Sequence, residues 1–174
     1  MKKNIYLYIC SALLSLILIG LLMIFVFDKP LIIGWGKTAY DLKYLHYAQS
    51  TKQNNIIIVA GSNGFFSHRC ETIEQVLNKN CTNYSVSAGL GLDYILEKSK
   101  EVINKNTIVI LPLEFGFYNG SKEDSIKANT GNLHILENDH NYIFKFGFKR
   151  TLYILFSKDF KYIIGSILEN ILDK

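Results

Sequence analysis

Residues 5–27 form an unbroken run of 23 positions without a charged side chain, rich in Leu and Ile. No other feature constrains the chain as strongly. About 20 apolar residues at a rise of roughly 1.5 Å each cross a hydrocarbon core of about 30 Å as a helix. Ser11, Ser15 and Gly20 are small enough to sit inside such a helix. Tyr6 and Tyr8 lie near one end, where aromatic rings anchor at an interface. The run exceeds the roughly 7–15 apolar residues of a cleaved secretory signal, and no small-residue cleavage pattern precedes Asp28. Lys2 and Lys3 precede the run, whereas Asp28 and Lys29 beyond it cancel. The positive-inside rule then places the N-terminus in the cytoplasm. The expectation is a single-pass anchor over residues 1–27 in the cytoplasmic (inner) membrane. The membrane is then a partner, and the rest of the chain is periplasmic or extracellular.

Length and charge narrow the remainder. The chain has 174 residues, which leaves room for one globular domain, and its formal net charge is +4. That charge sits at the ends: residues 1–27 carry +2, residues 28–141 carry −1 and residues 142–174 carry +3. The middle offers no basic face to a polyanion, so a nucleic-acid partner is not expected. Cys10 falls within the apolar run. Cys70 and Cys81 flank a helix expected around residues 71–77, and two readings are open for them. In an oxidising compartment a disulfide persists and would tie the start of that helix to the loop behind it. Otherwise they are two buried thiols.

Residues 28–54 read as an aromatic connector (Trp35, Tyr40, Tyr44, Tyr47) with helical spacing over 39–48. The β-branched run Ile56-Ile57-Ile58-Val59-Ala60 predicts a strand buried on both faces, as in parallel sheets. Apolar spacing predicts helices over 67–78 and 92–103, with further strands at 84–87 and 107–111, the last closed by Pro112. Strand, helix, strand, helix, strand predicts two right-handed crossovers and an α/β domain over residues 55–141. Residues 119–141 read as a long polar loop. Residues 142–174 read as a basic, aromatic helical tail, covering the sheet or lying on an anionic surface.

In an open parallel sheet, ligands bind beyond the carboxyl ends of the strands. Gly61-Ser62-Asn63 arrives there after the first strand, Ser87-Ala88-Gly89-Leu90-Gly91 after the second, and Leu113-Glu114-Phe115 after the third. A serine on a tight strand-to-helix turn presents its hydroxyl beside backbone amides that can hold an oxyanion. Equally, Ser62 and Asn63 are good helix caps.

Three blocks at these strand ends carry a resemblance: Gly61-Ser62-Asn63-Gly64-Phe65-Phe66, Ala88-Gly89-Leu90-Gly91-Leu92-Asp93-Tyr94 and Pro112-Leu113-Glu114-Phe115. Together residues 56–118 resemble the opening of the SGNH (GDSL-like) hydrolase superfamily, in particular membrane-anchored bacterial members associated with surface polysaccharides. The resemblance implies a three-layer, flavodoxin-like parallel sheet. It also implies Ser62 as nucleophile, the Ser62 and Gly89 amides as oxyanion donors, and acyl-ester chemistry on carbohydrate through an acyl-serine. The chain departs from the pattern in three places. Gly61 replaces the acid of G-D-S. Glu114 stands where the third block would supply an oxyanion asparagine. The late D-x-x-H that supplies the base has no counterpart, which makes the expected domain incomplete. His134 and His140 lie in the polar segment, where Asp139-His140 could fold back over the site. His68, in the first helix, is expected to point away, and His46 belongs to the connector.

The candidate catalytic set is therefore Ser62, Gly89, Glu114 and His140. No cofactor and no metal is expected: Tyr94 occupies the third glycine position of G-x-G-x-x-G, no phosphate loop occurs, and His68, Cys70 and Glu71 have no second ligand cluster. Two functions follow. One is a membrane-anchored serine esterase or O-acyltransferase acting on acyl esters of cell-surface polysaccharide. The other is a catalytically inactive accessory or scaffold protein of a surface-polysaccharide assembly.

Overall fold

The computed structural model describes residues 2–27, 35–49 and 56–158, and singly residues 162, 164, 165 and 168. The chain divides into two compact units, one of Met1–Leu31 with Lys158–Lys174 and one of Ile32–Ser157.

In the first unit, the apolar run forms helix α1 (Lys2–Phe27). Among the described residues no helix is long and apolar enough to cross a membrane. The expected transmembrane anchor is corrected accordingly. So are the single-pass topology and the inner-membrane location inferred from it.

The second unit is built around a small parallel sheet. The first β-branched run forms β1 (Ile56–Ile58), flanked by β2 (Cys81–Asn83) and β3 (Ile108–Ile110) in the order β2-β1-β3. Ile56 pairs with Cys81 on one side and Ile108 on the other. Every β1 side chain is buried, as a central strand covered on both faces requires. The second strand lies three residues earlier than its pattern suggests. Residues 84–86 nevertheless continue the parallel pairing, with Tyr84 N donating to Ile58 O at 2.8 Å and Val86 N to Ala60 O at 3.4 Å.

The remaining elements are helices: α2 (Trp35–Gln49), α3 (Ser62–Ser67), α4 (Cys70–Leu77), α5 (Leu92–Ser99), α6 (Phe115–Asn119), α7 (Lys122–Lys127), α8 (Asn129–Asn138) and α9 (Phe148–Leu155). Short 3-10 turns cover Ala88–Leu90 and His140–Tyr142. The expected three-layer flavodoxin-like α/β fold is therefore corrected: the structure is mostly helical (66%), and this three-stranded sheet is the only one among the described residues. The segment 119–141, expected as a loop, accounts for much of the difference. Ser121 and Asp124 cap each other reciprocally there, Ser121 N donating to Asp124 Oδ2 at 2.7 Å and Asp124 N to Ser121 Oγ at 3.2 Å. Leu133, Ile135 and Leu136 then go into the core from α8. The helix expected over 67–78 is α4, which starts only at Cys70 because His68 and Arg69 are extended; α3 is a separate short helix before it.

Cys70, the first residue of α4, is bridged to Cys81, the first of β2, with a Cα–Cα distance of 5.2 Å. The bridge packs beside Ile56, Ile58 and Ile73 on one side of the sheet. A second buried group joins Tyr40 of α2 to Tyr84 and to Tyr94 of α5, with ring centroids 5.1 and 6.1 Å apart.

Candidate functional site

The turn after β1 is held by a carboxylate from the segment that follows the neighbouring strand β3. Glu114, the residue before α6, accepts the Asn63 amide at 2.9 Å through Oε1 and the Gly61 amide at 3.3 Å through Oε2. Ser62 Oγ also donates to Glu114 Oε1, at 3.4 Å. A carboxylate against the first amides of a helix is favourable, because those N–H groups have no intrahelical partner and lie at the positive end of the dipole. Glu114 thus caps α3 from more than 50 residues away.

Gly61 explains why this turn has no acid before the serine. A Cβ at position 61 would collide with the backbone of Ala88 and with Glu114 Oε1. The two strand-end loops approach too closely for any side chain larger than hydrogen. At the second strand end, the Gly89 amide donates to Ser87 Oγ at 3.3 Å, which caps the 3-10 turn. The next glycine, Gly91, adopts φ +84°, a conformation glycine takes without strain, and it sets the entry into α5.

The four candidates are therefore placed as follows. Ser62 and Glu114 are brought together. Gly89 and Glu114 line one cleft of about 520 Å³, and Ser62 is not among its lining residues. His140 is exposed on the second 3-10 turn, and no hydrogen bond among the described residues joins it to Ser62. The other imidazoles are engaged elsewhere or open to solvent. His68 Nδ1 lies 2.9 Å from Ser67 Oγ. His134 is buried on α8, its Nε2 lying 3.2 Å from the Tyr94 hydroxyl.

The cleft has apolar walls with carboxylates set among them. Leu92 and Leu96 of α5 face Phe117 of α6 and Ala128, while Glu114, Asp93 and Asp124 supply the acceptors. Asp93 is ion-paired with Arg150 of α9, whose side chain is 1% exposed. The guanidinium also lies over the Phe146 ring at 4.6 Å, and burial lowers its pKa to about 10, so it stays charged at neutral pH. Among the described residues no three His, Cys, Asp or Glu side chains are placed to hold a metal ion.

No protein-family model, curated protein or solved structure matches the chain. The site therefore rests on its own geometry.

Phe117, Asp124 and Ala128 were not singled out from the sequence, because they fall in or beside the segment read as a loop. The signal available for that wall is Ser121-x-x-Asp124, a capping pattern that announces a helix start.

Proposed function

We propose that the chain is a non-hydrolytic accessory protein of a surface-polysaccharide assembly, binding carbohydrate in the cleft between α5 and α6. One observation carries the reading. The Glu114 carboxylate takes the Gly61 and Asn63 amides and the Ser62 hydroxyl. An acyl-transfer site needs the amides beside its serine free of a competing anion, so that an oxyanion can develop there. Here a resident anion holds them, and a second negative charge beside it is repelled. The Gly89 amide is likewise occupied, by Ser87 Oγ.

The cleft chemistry supports the ligand class. Hydroxyl groups of a sugar donate to carboxylates such as Asp124 and Glu114, while its C–H faces pack on apolar and aromatic walls such as Leu96 and Phe117. The resemblance of the three strand-end blocks supplies the association with surface polysaccharide.

Labelling the full chain with a fluorophosphonate, with Ser62→Ala as control, tests the reading. No Ser62-dependent label is expected. In parallel, titration with soluble oligosaccharides should perturb the amides of α5 and α6, and Phe117→Ala should weaken that binding several-fold. Labelling at Ser62 would overturn the proposal and restore the serine esterase or O-acyltransferase.

A further inference from the structure

Helix α9 carries its polarity the wrong way round for a helix surrounded by water. Its inner side holds Arg150, Thr151 and Ile154, all buried, and Ser157 and Lys158, just beyond its end, are buried as well. The polar groups there are served from within. Arg150 pairs with Asp93, Thr151 Oγ1 donates to Ile143 O at 3.0 Å, and Ser157 Oγ donates to Ile154 O at 2.7 Å. The outer side holds Phe148, Leu152 and Leu155, at the spacing of one helix face, with Tyr153 and Phe156 beside them. Phe148 is 80% exposed and Phe156 76%, and Phe144, in the turn before the helix, is 79% exposed. A water-facing helix shows the opposite arrangement, apolar stripe inward and polar face outward. Exposed phenylalanines gathered in one short segment mark a surface that binds something apolar.

Charge says what covers it. Residues 142–158 contain Lys145, Lys149, Arg150 and Lys158 and no Asp or Glu. With Arg150 paired inward, Lys145 and Lys149 are the exposed cations beside the phenylalanines. Lys149 shares the Glu123 carboxylate with Lys127 of α7, at 2.7 and 3.5 Å. Ion pairs as exposed as these are weak and exchange readily for another anion. Asp124, the other acid of α7, is held by the Ser121 amide and hydroxyl. Cations thus exceed carboxylates around this face.

Size argues against a protein partner. A helix of eight residues is about 12 Å long, and even with the turn before it presents far less than the roughly 800 Å² per partner of a stable interface. A lipid surface sets no such minimum: aromatic rings at the acyl boundary and lysines at the headgroups hold a helix in the plane of the interface. The described side chains of α1, residues 5–21, are likewise exposed and uncharged, so that helix also calls for apolar surroundings.

We propose that the outer face of α9 docks on an anionic membrane surface. Phe144, Phe148 and Phe156 enter the acyl boundary, and Lys145 and Lys149 reach phosphate headgroups. Docking of this kind requires no segment to cross the bilayer. None of these residues lines the cleft between α5 and α6.

The test is tryptophan fluorescence of the full chain with vesicles. Trp35 is the only tryptophan, so Trp35→Phe gives a silent background into which Phe148→Trp or, separately, Phe156→Trp places one reporter. With vesicles of phosphatidylglycerol and phosphatidylcholine, lipids brominated in the acyl chain should quench both reporters. Quenching should be several-fold weaker for Leu77→Trp, an exposed position on α4, and several-fold weaker at 148 in phosphatidylcholine alone. No quenching at 148 and 156 would overturn the docking, even if the chain cosediments with vesicles through α1. Equal quenching at 77 and 148 would reveal unspecific adsorption and overturn it too. Equal quenching without phosphatidylglycerol would overturn the assignment to an anionic surface. A concentration-dependent dimer without lipid, lost in Phe148→Ser, would give the face to a second copy of the chain instead.

Discussion

Tyr94 and His134 show how much one residue pair can organise. The Tyr94 hydroxyl donates to Asp139 Oδ2 at 2.8 Å, so at its 3.2 Å contact with His134 Nε2 it can only accept. That fixes the proton of neutral His134 on Nε2. The same imidazole packs against Gly36, where any Cβ would come within 3.2 Å of Cε1. Burial, together with the nearby Lys98 charge, lowers the His134 pKa, although Asp139 and Glu137 act in the opposite direction. A base whose pKa is lowered on folding takes up its proton first in the unfolded chain. Its contribution to stability is therefore intact above about pH 6.5, the unfolded value, and is lost as pH falls through the folded value. Urea midpoints measured between pH 7.5 and 5 should fall toward acid, and His134→Gln should flatten that dependence. An unchanged slope in the variant would exclude His134 as its source.

At the scale of elements, the short helices are held by partners distant in sequence rather than by their own propensity. Helix α3 has six residues and no side-chain cap on its cap residue, and Glu114 supplies the missing acceptor. Helix α4 is fastened at one end by the Cys70–Cys81 bridge and at the other by Asn78, in the left-handed conformation, whose N–H returns to Glu74 O. Glu74 also accepts the Cys81 amide at 2.8 Å, so helix and strand share both a covalent and a polar tie. The bridged cysteines are 11 residues apart. Closing a loop of that size restricts the unfolded chain by an amount worth about 2–3 kcal/mol. The double variant Cys70→Ser, Cys81→Ser should show a urea midpoint reduced accordingly, with a similar slope. Equal midpoints for the two proteins would count against this account. A local pattern announced α4 and α5, because their apolar residues recur at helical spacing. It did not announce the break at His68 and Arg69, which follows from how the link is hydrogen-bonded to Asn83.

At the scale of the whole chain, the second unit carries the features described above. Ile32–Ser157 contains the sheet, the cleft and the tyrosine network in which Lys98 bridges Glu101 and Asp139 at 2.9 and 3.1 Å. The Tyr84 and Tyr142 hydroxyls donate to the same Glu101, at 3.2 and 2.6 Å. A compact unit with its own core is expected to fold alone. Residues 32–157 expressed separately should therefore unfold in one cooperative thermal transition. A broad, non-cooperative melt would show that the core depends on the rest of the chain.

By itself, the sequence determined the local features: the helical apolar run after Lys3, strands at the β-branched runs beginning near Ile56 and Ile108, and the turns that break them. These depend on side-chain shape and period over a few neighbouring residues, so they are written locally. It also brought Ser62, Gly89 and Glu114 forward as residues at strand ends. Only the tertiary structure decided what those strand ends do. The Glu114 carboxylate reaches amides 51 and 53 residues away, and Gly61 is needed because another loop's backbone lies against it. The folding of 119–141 into helices was likewise decided by burial of Leu133, Ile135 and Leu136, which a polar composition conceals. Contacts of this kind depend on which surfaces the folded chain brings together, and no local period encodes that.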